Sequence, residues 1–235
     1  MDDFEAFKTC FQEDRWVYDK SKLSMVLGHK SGVSVIGKKE TGNFVVRPIF
    51  NFDGGGRYAY KIIGKQKGVE IPIPLNFFWQ KEFVGMHTTV DYFRDLDGEW
   101  KAKNFFQGYP DRNQFTRFFF WQRCPKENAP RLHKELRGVA SNEINVEMID
   151  GKIIEAHLRH NSDPVEYSWF IPIWEDDPRL DTFKDGKVVH SDFFSGIIPH
   201  TTQKVFIKDK VDHEGRVGFV VDYNEYLMIN NKDEY

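Results

Sequence analysis

Between Gly32 and Ile73 a glycine or proline interrupts the chain so often that only short extended runs fit between them. Ser34-Val35-Ile36, Phe44-Val45-Val46 and Tyr58-Ala59-Tyr60-Lys61-Ile62-Ile63 are rich in β-branched and aromatic residues, and Asp53-Gly54-Gly55-Gly56 separates two of them. Such punctuation predicts a small, strand-rich lobe rather than a helical bundle. Helical patterns are brief. Phe4, Phe7 and Phe11 recur at spacings of three and four, which predicts a short amphipathic helix. A second helix is expected from the N-cap Asp19 through Leu23, Val26 and Leu27 to Gly28. A third is expected after Asn128 and Pro130, with Leu132, Leu136 and Val139 on one face.

Pro72 and Pro74 mark the crossing into a second region, which opens with Phe77-Phe78-Trp79-Gln80-Lys81-Glu82-Phe83-Val84. Strands are expected around 88–94 and 99–106, with Asp95-Leu96-Asp97-Gly98 as the hairpin between them. Ile144–Met148 and Lys152–Leu158 form another pair around Asp150-Gly151, and irregular β structure fills the last 70 residues. The fold class read from this order is α+β. It divides into an N-terminal helical segment (1–31), a small β-rich lid lobe (32–75) and a larger α+β lobe (76–235).

Composition narrows the function classes. Thirty-three Lys and Arg nearly balance 36 Asp and Glu, a formal charge of −3 in 235 residues, which counts against a general grip on nucleic acid or anionic membrane. No 18 apolar residues run together, and the start Met1-Asp2-Asp3-Phe4-Glu5 has no apolar run. Cys10 and Cys124 lack any zinc or redox spacing, so reduced thiols in a cytoplasmic protein are expected. No Walker lysine motif, HExxH, Rossmann GxGxxG or Ser/His/Asp order occurs. Twenty-two Phe, nine Tyr and six Trp exceed what a core needs, and many lie in Phe77–Trp79, Phe105–Phe106, Phe115–Trp121 and Trp169–Trp174.

Three constellations could carry chemistry. Arg47-Pro48 followed by the glycine turn sets a cation before a backbone able to approach phosphate oxygens, although a plain exposed hairpin has the same sequence. Around Asp150-Gly151, a type I turn with a G1 bulge makes Ile149-Asp150-Gly151 a three-residue loop. Residue 147 then pairs with 153 and 145 with 155, so Asn145, Glu147, Glu155 and His157 share a face. Glu147 and Glu155 become diagonal neighbours able to reach one Mg²⁺. A two-residue type I′ turn would throw the two glutamates onto opposite faces, and a solvated acidic face is the bland alternative. Arg159 follows on that same face, as a salt-bridge partner or as a stabiliser of transferring phosphate.

In order, these pieces resemble the ATP-grasp superfamily. Asp19-Lys20-Ser21-Lys22-Leu23 is similar to the start of the helix bearing its first ATP lysine. Phe44-Val45-Val46-Arg47-Pro48 resembles the strand before its mobile glycine loop, here Gly54, Gly55 and Gly56. Gln80-Lys81-Glu82-Phe83-Val84-Gly85-Met86-His87 resembles its adenine-binding hinge, and Glu147 with Glu155-Ala156-His157-Leu158-Arg159 its paired-acid hairpin. The resemblance implies two α+β lobes with a nucleotide cleft between them, and an ATP- and Mg²⁺-dependent ligase. Such an enzyme activates a carboxylate as an acyl phosphate for attack by an amine or another nucleophile.

Lys20, Arg47 and Gly54 to Gly56 would hold phosphates; Gln80, Lys81, Glu82, Phe83 and Val84 adenine; His87 ribose. Glu147, Glu155 and His157 would hold the metal, with Arg159 and Arg47 catalytic. Arg112, Arg117 and Arg123 are candidate acceptor contacts, or surface basics over a core. Arg47 stands for the usual lysine, His87 for a glutamate and His157 for an asparagine. Only 18 residues precede Asp19, so a minimal form without the usual leading Rossmann-like domain is expected. The implied partners are ATP with a carboxylate and a nucleophile, and no membrane. The aromatic surplus would serve a rebuilt core, a homodimer or the acceptor site.

Two other readings stay open. One is a non-catalytic ATP-grasp-like protein binding a nucleotide or a partner. The other is an aromatic-lined module for sugars or single-stranded nucleic acid, built on Arg117-Phe118-Phe119-Phe120-Trp121-Gln122-Arg123.

Overall fold

The computed structural model describes residues 2–50, 52, 56–110, 117–178, 180–189, 203–213 and 215–230. Two helices open the chain, α1 (Asp3–Thr9) and α2 (Lys20–Val26), with a 3-10 helix (Gln12–Tyr18) between them. Asp19 caps α2 by accepting from Lys22 N at 2.8 Å, and Gly28 takes φ +72° just past its end. Both ends of α2 are thus where the cap and glycine predicted them. In α1 the expected apolar face is not the buried one. Asp3 and Ala6 are buried, whereas Phe4 and Phe11 are about half exposed.

Among the described residues fifteen strands follow: β1 (Ser31–Val33), β2 (Val35–Ile36), β3 (Gly42–Pro48), β4 (Tyr60–Lys65), β5 (Ile71–Pro72), β6 (Phe77–Lys81), β7 (His87–Arg94), β8 (Trp100–Pro110), β9 (Phe118–Arg123), β10 (Glu143–Ile149), β11 (Lys152–His157), β12 (Trp169–Trp174), β13 (Val188–Val189), β14 (Lys204–His213) and β15 (Arg216–Asp222), then α3 (Tyr223–Asn230). The helix expected after Pro130 is absent. Short 3-10 turns at Lys126–Asn128 and Lys134–Leu136 replace it, yet Leu132, Leu136 and Val139 are all buried. The apolar spacing reported burial, and the proline-flanked backbone found another way to provide it.

The chain gathers into two compact units, Met1–Gln107 with Cys124–Asn161, and Gly108–Arg123 with Ser162–Tyr235. In the first, a small sheet runs β1-β6-β3-β4 and a second carries β11-β10-β7-β8. Alternation sorts the faces. Phe44 and Val46 on β3 pack into a core with Ile36, Ile73 and Trp79. Their neighbour Arg47 turns to the other face, beside its strand partner Phe78. In the second sheet Ile144, Val146, Met148, Val90, Tyr92 and Ala156 join the core of α1 and α2, leaving the opposite face for polar residues.

The second unit carries strands in the order β9-β12-β15-β14-β13, over Phe120, Ile171, Ile173, Phe206 and Val220. Much of the aromatic surplus is spent there on core. Phe120 and Trp121 are buried, and Phe118 packs on Trp121 with ring centroids 4.5 Å apart. Residues 118–121 therefore do not offer a continuous stacking platform. Among the described residues no helix is long and apolar enough to cross a membrane.

Candidate functional site

The polar face of β11, β10 and β7 is built in rows. His157, Asn145 and Asp91 lie opposite one another across the three strands, and Glu155, Glu147 and Thr89 form the next row. The Asp150-Gly151 turn is not the expected three-residue loop. Both residues have positive φ (51° and 71°), Ile149 pairs with Lys152, and the turn is a two-residue type I′. By itself that turn would separate the glutamates. A β-bulge then repairs the register: Met148 pairs with Ile153 and Glu147 with Glu155, leaving Ile154 as the extra residue. The carboxylates thus face each other directly rather than diagonally, and the unpaired Ile154 carbonyl accepts from Arg47 Nη2 at 2.8 Å.

Buried charges converge on Glu155. Lys20 Nζ, from the first turn of α2, lies 2.7 Å from its Oε1, and Arg47 Nη1, from β3, 3.2 Å from the same oxygen. His157 Nε2 is 3.5 Å from Oε2. Burial pushes the Glu155 carboxyl up, but Lys20, His157 and Arg47 outweigh it and hold it well below the usual carboxylate range. His87 Nε2 approaches Glu147 Oε2 at 3.3 Å.

Asp3 is the residue that sequence reasoning missed. Its Oδ1 accepts from His157 Nδ1 and from Arg159 Nε, each at 2.8 Å, and Arg159 Nη1 donates to His160 O. Burial alone would lower the His157 pKa; the carboxylates of Asp3 and Glu155 reverse that and raise it from its usual 6.5 to about 9. The imidazole is therefore protonated, a donor to both acids. Asp91 was also missed. Its oxygens accept from Asn145 Nδ2, Asn104 Nδ2 and Asn161 N within 2.9 Å, which fixes Asn145 beside the acids. Alternation in Thr88-Thr89-Val90-Asp91-Tyr92 marks Asp91 for this face. Nothing local could link Asp3 to a strand 154 residues away.

The hinge candidates make other contacts. Gln80 belongs with the cluster, accepting from Arg47 Nη2 at 2.8 Å. Lys81 Nζ donates to Thr41 O, Glu82 pairs with Lys61, Phe83 packs against His29, and Val84 is exposed. Gly54, Gly55 and Arg112 lie outside the described residues; Gly56 occupies a turn with φ +64°. Arg117 and Arg123 are in the second unit. Arg117 pairs with Asp176 and lies over Trp174, and Arg123 donates to Val165 O and Tyr167 O.

Two observations define what the cluster can hold. Among the described residues Arg47 Nε and Gln80 Nε2 are buried and meet no acceptor, a cost of about 1–3 kcal/mol each unless something accepts from them. Lys20, Arg47, His157 and Arg159 also face as many acids, Asp3, Asp91, Glu147 and Glu155. Unspent donors beside Lys20 and Arg47 fit the oxygens of a phosphate group. For a metal, Glu147, Glu155 and His157 offer atoms within 4.8 Å of one another. The two carboxylates suit a hard cation such as Mg²⁺; the imidazole becomes a ligand only on losing its proton.

No family model matches the chain, and no curated protein matches it. Solved structures do. N5-carboxyaminoimidazole ribonucleotide synthetase in its ADP complex is similar at 10% identity, over 93% of this chain and 70% of that one, with TM-score 0.51. The Aspergillus clavatus carboxyaminoimidazole ribonucleotide synthase complexed with ATP is similar at 11% identity, over 94% and 74%, with TM-score 0.50. An ATP-grasp superfamily protein from Archaeoglobus fulgidus matches at 13% identity and TM-score 0.44 over 88% of this chain, which spans 64% of its length. The chain has the ATP-grasp fold, and its class is α+β.

Proposed function

We propose that this protein is an ATP- and Mg²⁺-dependent ligase of the carboxylate-activating kind. The observation that carries the reading is the convergence of Lys20, Arg47, Glu147 and Glu155 beside two buried donors that meet no acceptor among the described residues, on an ATP-grasp fold. In this reading Lys20, Arg47 and the glycines Gly54, Gly55 and Gly56 bind the phosphates, Gln80 to Val84 take adenine and His87 the ribose. Glu147 and Glu155 hold Mg²⁺, which when bound neutralises phosphate charge. His157, kept protonated by Asp3, orients Glu155 and becomes a ligand only if it deprotonates. The site's location in a cleft beside the 32–75 lid lobe, and the cytoplasm as compartment, belong to the same reading.

The chemistry is mostly positioning and charge neutralisation. A substrate carboxylate oxygen bonds to the γ-phosphorus as the bond to the ADP oxygen breaks. An amine then bonds the acyl carbon, phosphate leaves with the C–O electron pair, and the amine proton passes to solvent. Arg47 and Arg159 balance the charge on the transferring group. With an amine as nucleophile the bond formed is carbon–nitrogen.

One observation favours a second reading. Glu155 already meets Lys20, Arg47 and His157, as it would in a non-catalytic protein whose acids are structural. Thermal melting with Mg·ATP, compared with Glu155→Ala, and ADP release on adding candidate acids and amines separate the two. A nucleotide-dependent rise in Tm lost in the variant, with acceptor-dependent ADP, supports the ligase. A Tm rise without ADP leaves the nucleotide binder, and no Tm response to ATP or Mg²⁺ removes both nucleotide readings and leaves a protein whose acids are structural.

A further inference from the structure

Beside the start of α2 lies an open cavity of about 650 Å³ that no part of the proposed nucleotide site uses. Three aromatic side chains from three segments wall it: Phe7 of α1, Trp16 of the 3-10 helix, and Phe50 just after β3. Phe7 and Phe50 touch, with ring centroids 6.4 Å apart. Arg15 also lines the cavity, its guanidinium 5.1 Å from the Phe7 ring centroid and held there by donation to Lys8 O. Lys22 is exposed at the same cavity and enters no ion pair among the described residues.

The cavity's place in the chain ties it to the phosphate cations. Asp19, in its wall, precedes Lys20 directly, and Phe50 follows Arg47 by three residues. Lys20 N donates to Ile49 O at 3.0 Å, fastening the two segments together. A ligand seated here is therefore held by the same two segments that deliver Lys20 and Arg47 to Glu155.

The lining is mixed, three aromatic rings with the cations Arg15 and Lys22 and the acids Glu13 and Asp19, and it suits a ligand with a planar apolar body and one anionic group set beside the cations. We propose that this cavity binds an aromatic carboxylate and, resting on the ligase reading, that it seats the acid to be activated. An arginine held against an aromatic ring presents a fixed planar fork that suits a carboxylate better than a mobile ammonium does. Glu13 and Asp19, also in the lining, disfavour a second carboxylate near them and would accept an amino group.

The test uses 3-phenylpropionate as probe, titrated into the full chain without nucleotide and followed by calorimetry and ligand-observed NMR. Its neutral amide and phenylalanine serve as comparison probes. Saturable binding is expected, about tenfold weaker for the amide and for Arg15→Gln, the loss of one charge-assisted contact. Phe50→Ala, at a half-exposed position, weakens binding by a similar factor while the fold holds. Phenylalanine binding at least as well as the probe supports the site, with the acids receiving the amino group. Failure of every probe to bind, or equal binding by both variants and the parent, overturns the site. Because nucleotide is absent, a failure of the ATP reading does not touch this result. Probe binding with no probe-dependent ADP release from Mg·ATP keeps the cavity but removes its acceptor role.

Discussion

Glu155 gathers three charged partners from three places in the chain. It is the common partner of Lys20, Arg47 and His157, brought from α2, β3 and its own strand. Exchanging it for glutamine leaves two nearly buried cations without a counter-charge, which costs about 3–5 kcal/mol by the usual behaviour of broken buried pairs. Urea unfolding of Glu155→Gln should show that loss, and an unchanged midpoint would mean that the cluster contributes nothing net to stability. His157 adds a pH dependence whose sign follows from its raised pKa. Its contribution to stability is full below its usual 6.5 and is lost as pH rises through about 9. Unfolding in EDTA should show stability falling across that window, and His157→Gln should flatten the slope. In Asp3→Ala the slope should also shrink, because the carboxylate that holds the imidazolium is gone.

At the scale of the element, the hairpin of β10 and β11 turns on one residue. The type I′ turn and the bulge at Ile154 offset each other, and together they set Glu147 opposite Glu155. Deleting Ile154 should remove the bulge, keep Glu147 opposite Glu155 in a regular hairpin and lose only the carbonyl that Arg47 Nη2 donates to. Retention of the Mg·ATP-dependent Tm shift, with strand content retained by circular dichroism, is the expected outcome; a lost shift would mean that nucleotide binding needs the bulge and not the glutamate pairing alone. Gly151→Val places a β-branched residue at φ +71° and should lower stability by about 1–2 kcal/mol in equilibrium unfolding.

The hairpin also marks how far sequence reasoning reached. Alternation in Glu143-Ile144-Asn145-Val146-Glu147-Met148 identified the face, because a strand's side-chain period is two whatever its partner does. Register depended on a bulge with no local signature. In the same way Asp19 and Gly28 bounded α2 correctly, whereas the apolar triad after Pro130 sat in the core without a helix.

For the whole molecule, the two units divide the arginines by role. In the second unit Arg117 meets the exposed Asp176 and stacks on Trp174. A pair so open to solvent is worth about 0–1 kcal/mol, so Arg117→Gln should barely move Tm and should leave the nucleotide response intact. A loss of acceptor-dependent ADP release in that variant, with binding unchanged, would instead mark Arg117 as an acceptor contact. The aromatic surplus divides likewise: Phe120, Trp121, Phe170 and Phe219 build core, while Phe7, Trp16 and Phe50 line a cavity.

What the sequence determined by itself was of short range: the faces of β10 and β11, the cap of α2, the place but not the type of the turn at Asp150-Gly151, and the serial order that resembles the ATP-grasp superfamily. Those follow from backbone sterics and side-chain periodicity, which act over a few residues. The tertiary structure alone decided that Asp3 clamps His157 and Arg159, that Lys20 and Arg47 share one oxygen of Glu155, and that a bulge rather than a longer loop aligns the acids. Charges buried together select their partners by proximity in the fold, and no spacing along the chain encodes which distant residue will be there.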